Sequence, residues 1–106
     1  MSLDTRQRYV HELMRLYLAT PGVSGRVRQA DRELAWALHD QKVPLYAVAN
    51  AFIVAAARRT RHNAYSTPLP PIQSLAYFRN VIREMLERPP GYREIDRLRE
   101  SLREHC

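Results

Sequence analysis

The sequence predicts an all-α protein, a compact bundle of about five helices around a buried central helix at about residues 44–61. Several segments carry apolar residues at the spacing of one helix face. Proline or glycine separates most of these segments. Residues 43–61 are apolar on nearly every face of a helix, and such a helix must be buried on every face. The 106 residues have the size of a single domain.

The first helix is predicted to begin at Asp4 or Thr5, since either side chain can cap it, and to end at Ala19. Pro21 and Gly22 follow, and neither residue continues a helix well. The apolar stripe that should face the core consists of Val10, Leu13, Met14, Tyr17 and Leu18.

The second helix is predicted at residues 25–40, with Ser24 as its N-cap. The link at residues 41–43 is long enough only for a tight turn, so the second and third helices should form a hairpin. Pro44 suits the first position of the third helix, where an N–H is not needed. The buried stripe of the second helix should be Val27, Ala30, Leu34 and Leu38.

Residues 62–71 contain three prolines and are predicted to form an ordered, extended loop. A fourth helix should start at Ile72 or Ser74 and end at Glu87. The fifth is expected at residues 93–105, and residues 92–106 are predicted to be weakly anchored because few apolar side chains point inward, namely Ile95, Leu98 and Leu102.

The sequence gives no pattern typical of an enzyme, a metal site or a cofactor site. The four histidines are scattered without metal-ligand spacing, and the three glycines form no phosphate-binding loop. The single cysteine, Cys106, is the last residue, which excludes an internal disulfide and suits a reducing compartment such as the cytoplasm. The apolar run at residues 43–61 ends in arginines and is too short to cross a bilayer, so we expect no membrane partner.

Positive charge is concentrated in the middle of the chain. Residues 22–83 hold nine basic and three acidic residues, a net charge of +6, whereas the segments before and after carry +1 and −1. Sixteen of the seventeen basic residues are arginine, which forms bidentate contacts with phosphate and stacks on rings. A GC-rich genome is an alternative reason for the preference for arginine, but it does not explain the clustering.

The clustered arginines are the predicted nucleic-acid contacts. In the predicted helices, two pairs of them place like charges four residues apart, which costs about 0.2–0.5 kcal/mol per pair and makes an external anion a favourable partner. Phosphate is the commonest such anion. The alternatives are a solvated basic surface and an acidic protein partner. The predicted contacts are Arg26, Arg28, Arg32, Arg58, Arg59, Arg61, Arg79 and Arg83, with Tyr65 as a candidate single-strand contact.

Trp36 is the candidate partner-binding residue. It lies off the apolar stripe of the second helix, so it either packs against another helix or serves as an interface or stacking residue. Asn50, inside the apolar run, is interpreted as a hydrogen-bonded core amide. The third helix offers only Tyr46 and Asn50 as polar groups, which argues against reading of a DNA major groove.

Two later segments resemble the C-terminal module of the DnaD family of replication-initiation (primosomal) proteins. That module pairs an alanine- and isoleucine-rich helix with a helix carrying Tyr-x-x-x-Ile-x-x-x-Trp. The counterparts here are residues 47–57 and then Tyr77, Val81 and Met85, with valine and methionine where the family has isoleucine and tryptophan. The resemblance spans residues 45–86. It implies sequence-independent DNA binding, oligomerisation and a role in helicase loading, and only Tyr77 carries over directly.

Together these observations predict a small, non-enzymatic, nucleic-acid-binding accessory protein of a DNA-replication or mobile-element system. It should contact the phosphate backbone of DNA or RNA with little reading of sequence. The alternative is a helical protein-interaction subunit of a larger, for example ribonucleoprotein, assembly, which would dock through Trp36 and the fifth helix. A homo-oligomer that covers the basic residues is a third reading.

Overall fold

The computed structural model describes the backbone of residues 2–65 and 67–104 and the side chains of residues 5–62 and 67–104. Within these residues there is no strand, and the one β-type contact is an isolated bridge between Val23 and Ile72. The predicted all-α bundle is therefore confirmed. A short 3-10 helix, Leu75–Phe78, leads into the fourth of five α-helices, which are α1 Ser2–Ala19, α2 Gln29–Asp40, α3 Leu45–Tyr65, α4 Arg79–Glu87 and α5 Tyr92–Glu104.

The helix α3 is the centre of the bundle and packs against α1, α4, α5 and the 3-10 helix. Pro44 stands just before it, and its carbonyl accepts the N–H of Ala47 at 3.1 Å. The helix continues to Tyr65, so the prediction of a loop from residue 62 is wrong. The physical reason is that the first residue unable to continue the helix is Pro68. The side chains of α3 that are buried are Ala47, Val48, Ala51, Phe52, Val54, Ala55 and Ala56.

Three aromatic rings join the elements around α3. The ring of Phe52 on α3 lies 4.7 Å from Phe78 of the 3-10 helix and 6.2 Å from Tyr17 of α1, measured between centroids. Tyr17 and Phe78 are themselves 6.1 Å apart and perpendicular, an arrangement that aromatic pairs prefer. All three side chains are almost fully buried. They fix the relative positions of α1, α3 and the segment that enters α4.

The start of α2 differs from the prediction. The helix begins at Gln29, and its N-cap is Arg28 in an extended conformation rather than Ser24. Residues 25–28 are therefore not helical, and Gly25 has a positive φ of 91°. Arg26 and Arg28 precede the helix, so the expected like-charge pair of Arg28 with Arg32 does not lie on a helix face. The buried residues of α2 are Asp31, Ala35 and Leu38, whereas Ala30, predicted to be buried, is exposed.

Asp31 explains why α2 begins where it does. Its side chain is buried, at 2% exposure, although it carries a carboxylate. One carboxylate oxygen accepts the backbone N–H of Arg28 at 2.9 Å, which caps α2 from inside its first turn. The other oxygen accepts the N–H of Leu75, also at 2.9 Å, at the start of the 3-10 helix. One buried side chain thus caps the N-terminal ends of two helices that are far apart in sequence.

Backbone hydrogen bonds hold the same two segments together. Ile72 donates its N–H to the carbonyl of Gly22 at 2.7 Å, and its own carbonyl accepts the N–H of Ser24 at 2.8 Å. We call this region, residues 22–31 with residues 70–77, the loop junction. The proline-containing part of the predicted loop, residues 67–71, is non-helical as expected, and it runs into this junction.

The last helices follow the predictions more closely. The fourth helix was predicted to start at Ile72 or Ser74. The Ser74 hydroxyl accepts the N–H of Ala76 at 3.1 Å and caps the first turn, which is 3-10 rather than α. The helix α5 packs on α3 and buries Ile95 and Leu102. Its predicted last residue, His105, lies outside the described residues. No helix in the described part of the chain combines the length and the apolar character needed to span a membrane.

We expect Asp31→Ala to lower the free energy of unfolding strongly. Two N–H groups lose their acceptor, and an unsatisfied buried donor costs about 1–3 kcal/mol. The total loss should therefore be about 2–6 kcal/mol, read from the midpoint of urea denaturation at constant m-value.

The matched control is Asp40→Ala, which removes a carboxylate from the other end of α2. The Asp40 side chain is 56% exposed and pairs with Arg6 at 3.0 Å, so its loss should cost less than about 1 kcal/mol. Equal losses in the two variants would contradict the capping role of Asp31.

Candidate nucleic-acid interface

The eight predicted arginine contacts divide into two groups. Arg58 and Arg59 on α3 each make two guanidinium contacts to later segments, whereas Arg28 makes one and the others make none with a described residue. Of the eight, five are exposed and make no ion pair or hydrogen bond through the guanidinium with a described residue, namely Arg26, Arg32, Arg61, Arg79 and Arg83.

Arg58 forms a bidentate pair with Glu84 of α4. Its two terminal nitrogens lie 3.0 and 2.5 Å from the two carboxylate oxygens. The hydrogen bond lowers the pKa of Glu84 below its usual value and raises that of Arg58. The charge of Arg58 is therefore balanced inside the fold, by an acid that the charge count placed outside the basic segment.

Arg59 connects α3 to the loop junction. One terminal nitrogen donates to the carbonyl of Pro70 at 2.9 Å, and the other lies 3.5 Å from the hydroxyl of Tyr77. The guanidinium carbon also lies 5.8 Å from the centre of the Tyr77 ring, within cation–π range. Gly22 packs against the same guanidinium, because a Cβ on Gly22 would lie 2.9 Å from its Nε. The contacts of Arg59 are thus structural.

The loop junction brings several exposed arginines to one region. Arg28 donates from its guanidinium to the side-chain oxygen of Gln73 at 3.2 Å, which places it beside the second segment of the junction. Arg26 lies two residues earlier, on the same non-helical segment. Arg32 directly follows Asp31, and Arg79 follows Leu75 by four residues, so both lie within about one turn of the Asp31–Leu75 hydrogen bond.

The acids of residues 22–83 are already engaged. Asp31 is buried and binds backbone N–H groups, and Asp40 pairs with Arg6 of α1. Glu33 accepts a hydrogen bond from Gln29 at 3.4 Å. Among the described residues, none of the three carboxylates is bound to the guanidinium of an arginine in or beside the junction.

Trp36 is half-buried and packs against the hydrophobic core. Arg6 of α1 covers it, with the guanidinium carbon 5.4 Å from the ring centre, and also pairs with Asp40. The sequence left open whether Trp36 packs within the bundle or serves as an interface residue, and in the structure it packs within the bundle. The side chain of Tyr65, the candidate single-strand contact, lies outside the described residues.

A cleft that sequence reasoning did not predict lies between α3, the turn at residues 89–91 and the start of α5. Its volume is about 390 Å³. Tyr46 and Tyr92 line it although they are 68% and 91% exposed. Asn50 also lines it and is half-buried, so it is not the enclosed core amide that the sequence suggested. The sequence feature from which this cleft could have been predicted is Pro-Pro-Gly-Tyr at residues 89–92, which places an aromatic side chain directly after a rigid turn.

No three histidine, cysteine, aspartate or glutamate side chains come together as a metal site in the part of the chain that the structure describes. Comparison with known proteins finds no match among protein-family models, curated proteins or solved structures. The DnaD-like resemblance accordingly stays a prediction. Tyr77, the residue that carries it, is half-exposed and contacts Arg59.

Substitution of two glycines tests the structural role of Arg59. Gly22 and Gly25 have φ values of 95° and 91°, so alanine should strain the backbone at both and cost about 1–2 kcal/mol. Gly22→Ala should cost about 1 kcal/mol more, because its Cβ displaces Arg59 from the Pro70 carbonyl, whereas Gly25 has open space around it.

Urea denaturation of both variants, in the native and Arg59→Ala backgrounds, measures this difference. The extra cost of Gly22→Ala should disappear when Arg59 is absent. A difference that persists without Arg59 would show that the guanidinium is not what Gly22 accommodates.

Proposed function

We propose that this protein binds the phosphate backbone of nucleic acid and performs no catalysis. The contacts would come from the exposed arginines Arg26, Arg28, Arg32, Arg61, Arg79 and Arg83. The observation that carries the proposal is that the fold uses its nearby acids elsewhere and leaves these guanidinium groups without a carboxylate among the described residues. Arg58 and Arg59, predicted from the sequence as contacts, have internal partners and are not assigned a primary role.

Binding of this kind would have little sequence preference. Contacts to phosphate give affinity and orientation, whereas sequence is read from base edges by an exposed polar element. The central helix α3 is buried against its neighbours along much of its length, so those side chains are not available to read base edges. Arginines on a loop and on three separate helices suit the charge of a backbone better than the edges of bases.

The setting of this activity is also a proposal. The resemblance of residues 45–86 to the DnaD family supports an accessory role in DNA replication, and a mobile-element system is the related alternative. The single cysteine supports a reducing compartment, for which we propose the cytoplasm.

A protein-interaction subunit is the second candidate function. It is favoured by the exposed tyrosines of the cleft at the start of α5 rather than by Trp36, which Arg6 covers. The two candidates differ in salt dependence, because a phosphate-binding surface weakens steeply with salt whereas a largely apolar interface does not.

Fluorescence anisotropy with labelled DNA and RNA, across about 50–300 mM salt, tests the phosphate-binding proposal. We expect the native protein to bind with a steep negative slope of log K against log salt. The triple variant Arg32→Gln, Arg79→Gln and Arg83→Gln should make that slope shallower by about three units and weaken binding at low salt by at least about tenfold.

The control removes the same charge from exposed helical arginines elsewhere, Arg8→Gln, Arg97→Gln and Arg103→Gln. Its slope should change by less than about one unit. Equal effects of the two triple variants would mean that net charge alone governs binding. No binding by the native protein at low salt would overturn the proposal.

The pair of Arg58 and Glu84 offers a test by gain of binding. Glu84→Gln should release the Arg58 guanidinium for a phosphate and steepen the salt slope by about one unit. Glu87→Gln makes the same change of net charge on the same helix, at an exposed residue outside this pair, and should have a smaller effect. Equal slopes for the two variants, measured by anisotropy, would place Arg58 away from the binding surface.

A further inference from the structure

The outward side of α5 carries its charges in two blocks. Arg93 and Arg97 lie in the first half of the helix, and Glu100 and Glu104 lie in the second half. The intervals between them are those of residues that share one side of a helix. All four are exposed, and they line one surface groove. We call this row of four residues the charged face.

The order of these charges opposes the helix dipole. The N-terminal end of a helix favours acids and the C-terminal end favours bases, whereas the charged face begins with bases and ends with acids. The two arginines are also one turn apart, as are the two glutamates, and like charges at this spacing destabilise a helix. Glu94 and Arg103, which suit the dipole, lie beside the charged face rather than on it. The order of charges on this face therefore does not serve the stability of α5 itself.

The rest of the fold does not pair these charges. None of the four side chains forms an ion pair with a described residue, although Arg97 and Glu100 are only three positions apart. Asp96, which borders the same groove, pairs with Arg99 at 3.8 Å. The helix α5 packs on α3 through its opposite side, which carries its buried residues. The charged face is thus turned to solvent.

The two blocks are symmetric about the middle of the charged face. Arg93 is as far from the midpoint as Glu104, and Arg97 is as far from it as Glu100. A two-fold axis through that midpoint, perpendicular to the helix, sets each arginine of one copy opposite a glutamate of another copy, which is the self-complementarity of a C2 interface. We propose that the charged face binds the charged face of a second copy of this chain, with the two α5 helices antiparallel.

Other occupants match this face less well. A parallel pair of α5 helices would set arginine against arginine, and the two glutamates would repel the phosphates of a nucleic acid. An unrelated protein would have to carry the reverse order of charges at the same spacing, which a second copy supplies by symmetry. The inference does not rest on the proposed function, because it uses a different helix with a different balance of charge.

An exposed aromatic residue adds to the same contact. Tyr92 is 91% exposed and lies one turn before Asp96, at one edge of the charged face. Arg103 follows Asp96 by two turns, so it lies along the same edge at the other end of the helix. The two-fold axis brings these edges together, so that Tyr92 and the partner's Arg103 meet on one side of the contact, where a cation–π interaction can form.

The contact should give a weak, reversible dimer. The thirteen residues of α5 span about 20 Å, so one pair of these helices buries less surface than the interface of a stable dimer. The ion pairs are near solvent, so salt screens them. We expect a dissociation constant of about 100 μM at low salt, and association at least about fivefold weaker at high salt.

Sedimentation equilibrium of the purified protein at about 20–500 μM, in about 50 and about 500 mM salt, measures this association. Two variants reverse charge on one block each. Arg93→Glu with Arg97→Glu makes the face wholly acidic, and Glu100→Arg with Glu104→Arg makes it wholly basic. Each variant alone should self-associate at least about tenfold more weakly than the native protein. An equimolar mixture of the two should form a heterodimer at least as tightly as the native protein dimerises, because every facing pair is again opposite in charge.

The control for net charge is Arg8→Glu with Lys42→Glu, at exposed residues of other parts of the chain. It changes the charge of the protein as the acidic variant does, and its self-association should stay within about twofold of the native value. The variant that carries all four α5 substitutions has its blocks exchanged and should dimerise again, which distinguishes a lost contact from a disturbed fold.

A native protein that stays monomeric at about 500 μM in low salt would overturn the inference. So would a dimer that persists unchanged in both charge-reversed variants, a mixture of the two that does not associate, or an equal loss of association in the control. Binding of nucleic acid is tested at low concentrations, at which the protein should be monomeric, so the two proposals stand or fall separately.

Discussion

Two backbone N–H groups from distant parts of the chain converge on the carboxylate of Asp31. A buried carboxylate is tolerated only when its oxygens are hydrogen-bonded, so the segments at residues 22–31 and 70–77 must meet at this point. That meeting sets the first residue of α2 and the entry into the 3-10 helix. The neighbouring arginines stay on the outside, and the Asp31 carboxylate, which is turned inward, does not pair with their guanidinium groups.

The features that depend on the local pattern of residues could be predicted from the sequence alone. The end of α1 at Ala19, the tight link before α3 and the central position of α3 all follow from proline, glycine and the distribution of apolar residues. The start of α2 did not follow, because Ser24 has the local chemistry of a cap whereas the actual cap uses Asp31, whose burial depends on Leu75. A hydrogen-bond partner 44 residues away cannot be recognised from a stretch of sequence as short as one helix.

The same limit applies to the candidate interface. Counting charge located the basic segment, but Arg58 and Arg59 looked like the other arginines because their partners, Glu84 and Pro70, lie 26 and 11 residues further on. The spacing of apolar residues also does not predict whether an individual aromatic side chain is exposed, so the sequence assigned Tyr92 no role. Charge can be read from a sequence, whereas its compensation depends on the tertiary structure. The proposed interface therefore consists of arginines that the fold leaves without a carboxylate among the described residues.

The bridge between Val23 and Ile72 has a consequence for the order of folding. Nearly half of the chain separates the two sides of the loop junction, and closing a loop of this length costs about 3 kcal/mol of chain entropy by the logarithmic law. During synthesis, α1 and the start of α2 emerge well before Ile72 and Leu75 exist, so Asp31 has no second donor at that stage. The predicted hairpin of the second and third helices is not found, because α2 packs on α1 and the 3-10 helix rather than on α3. We therefore expect α1 and α2 to associate early and the arginine surface to take shape only when residues 70–77 dock. The region proposed to meet nucleic acid would then be among the last parts of the molecule to be completed.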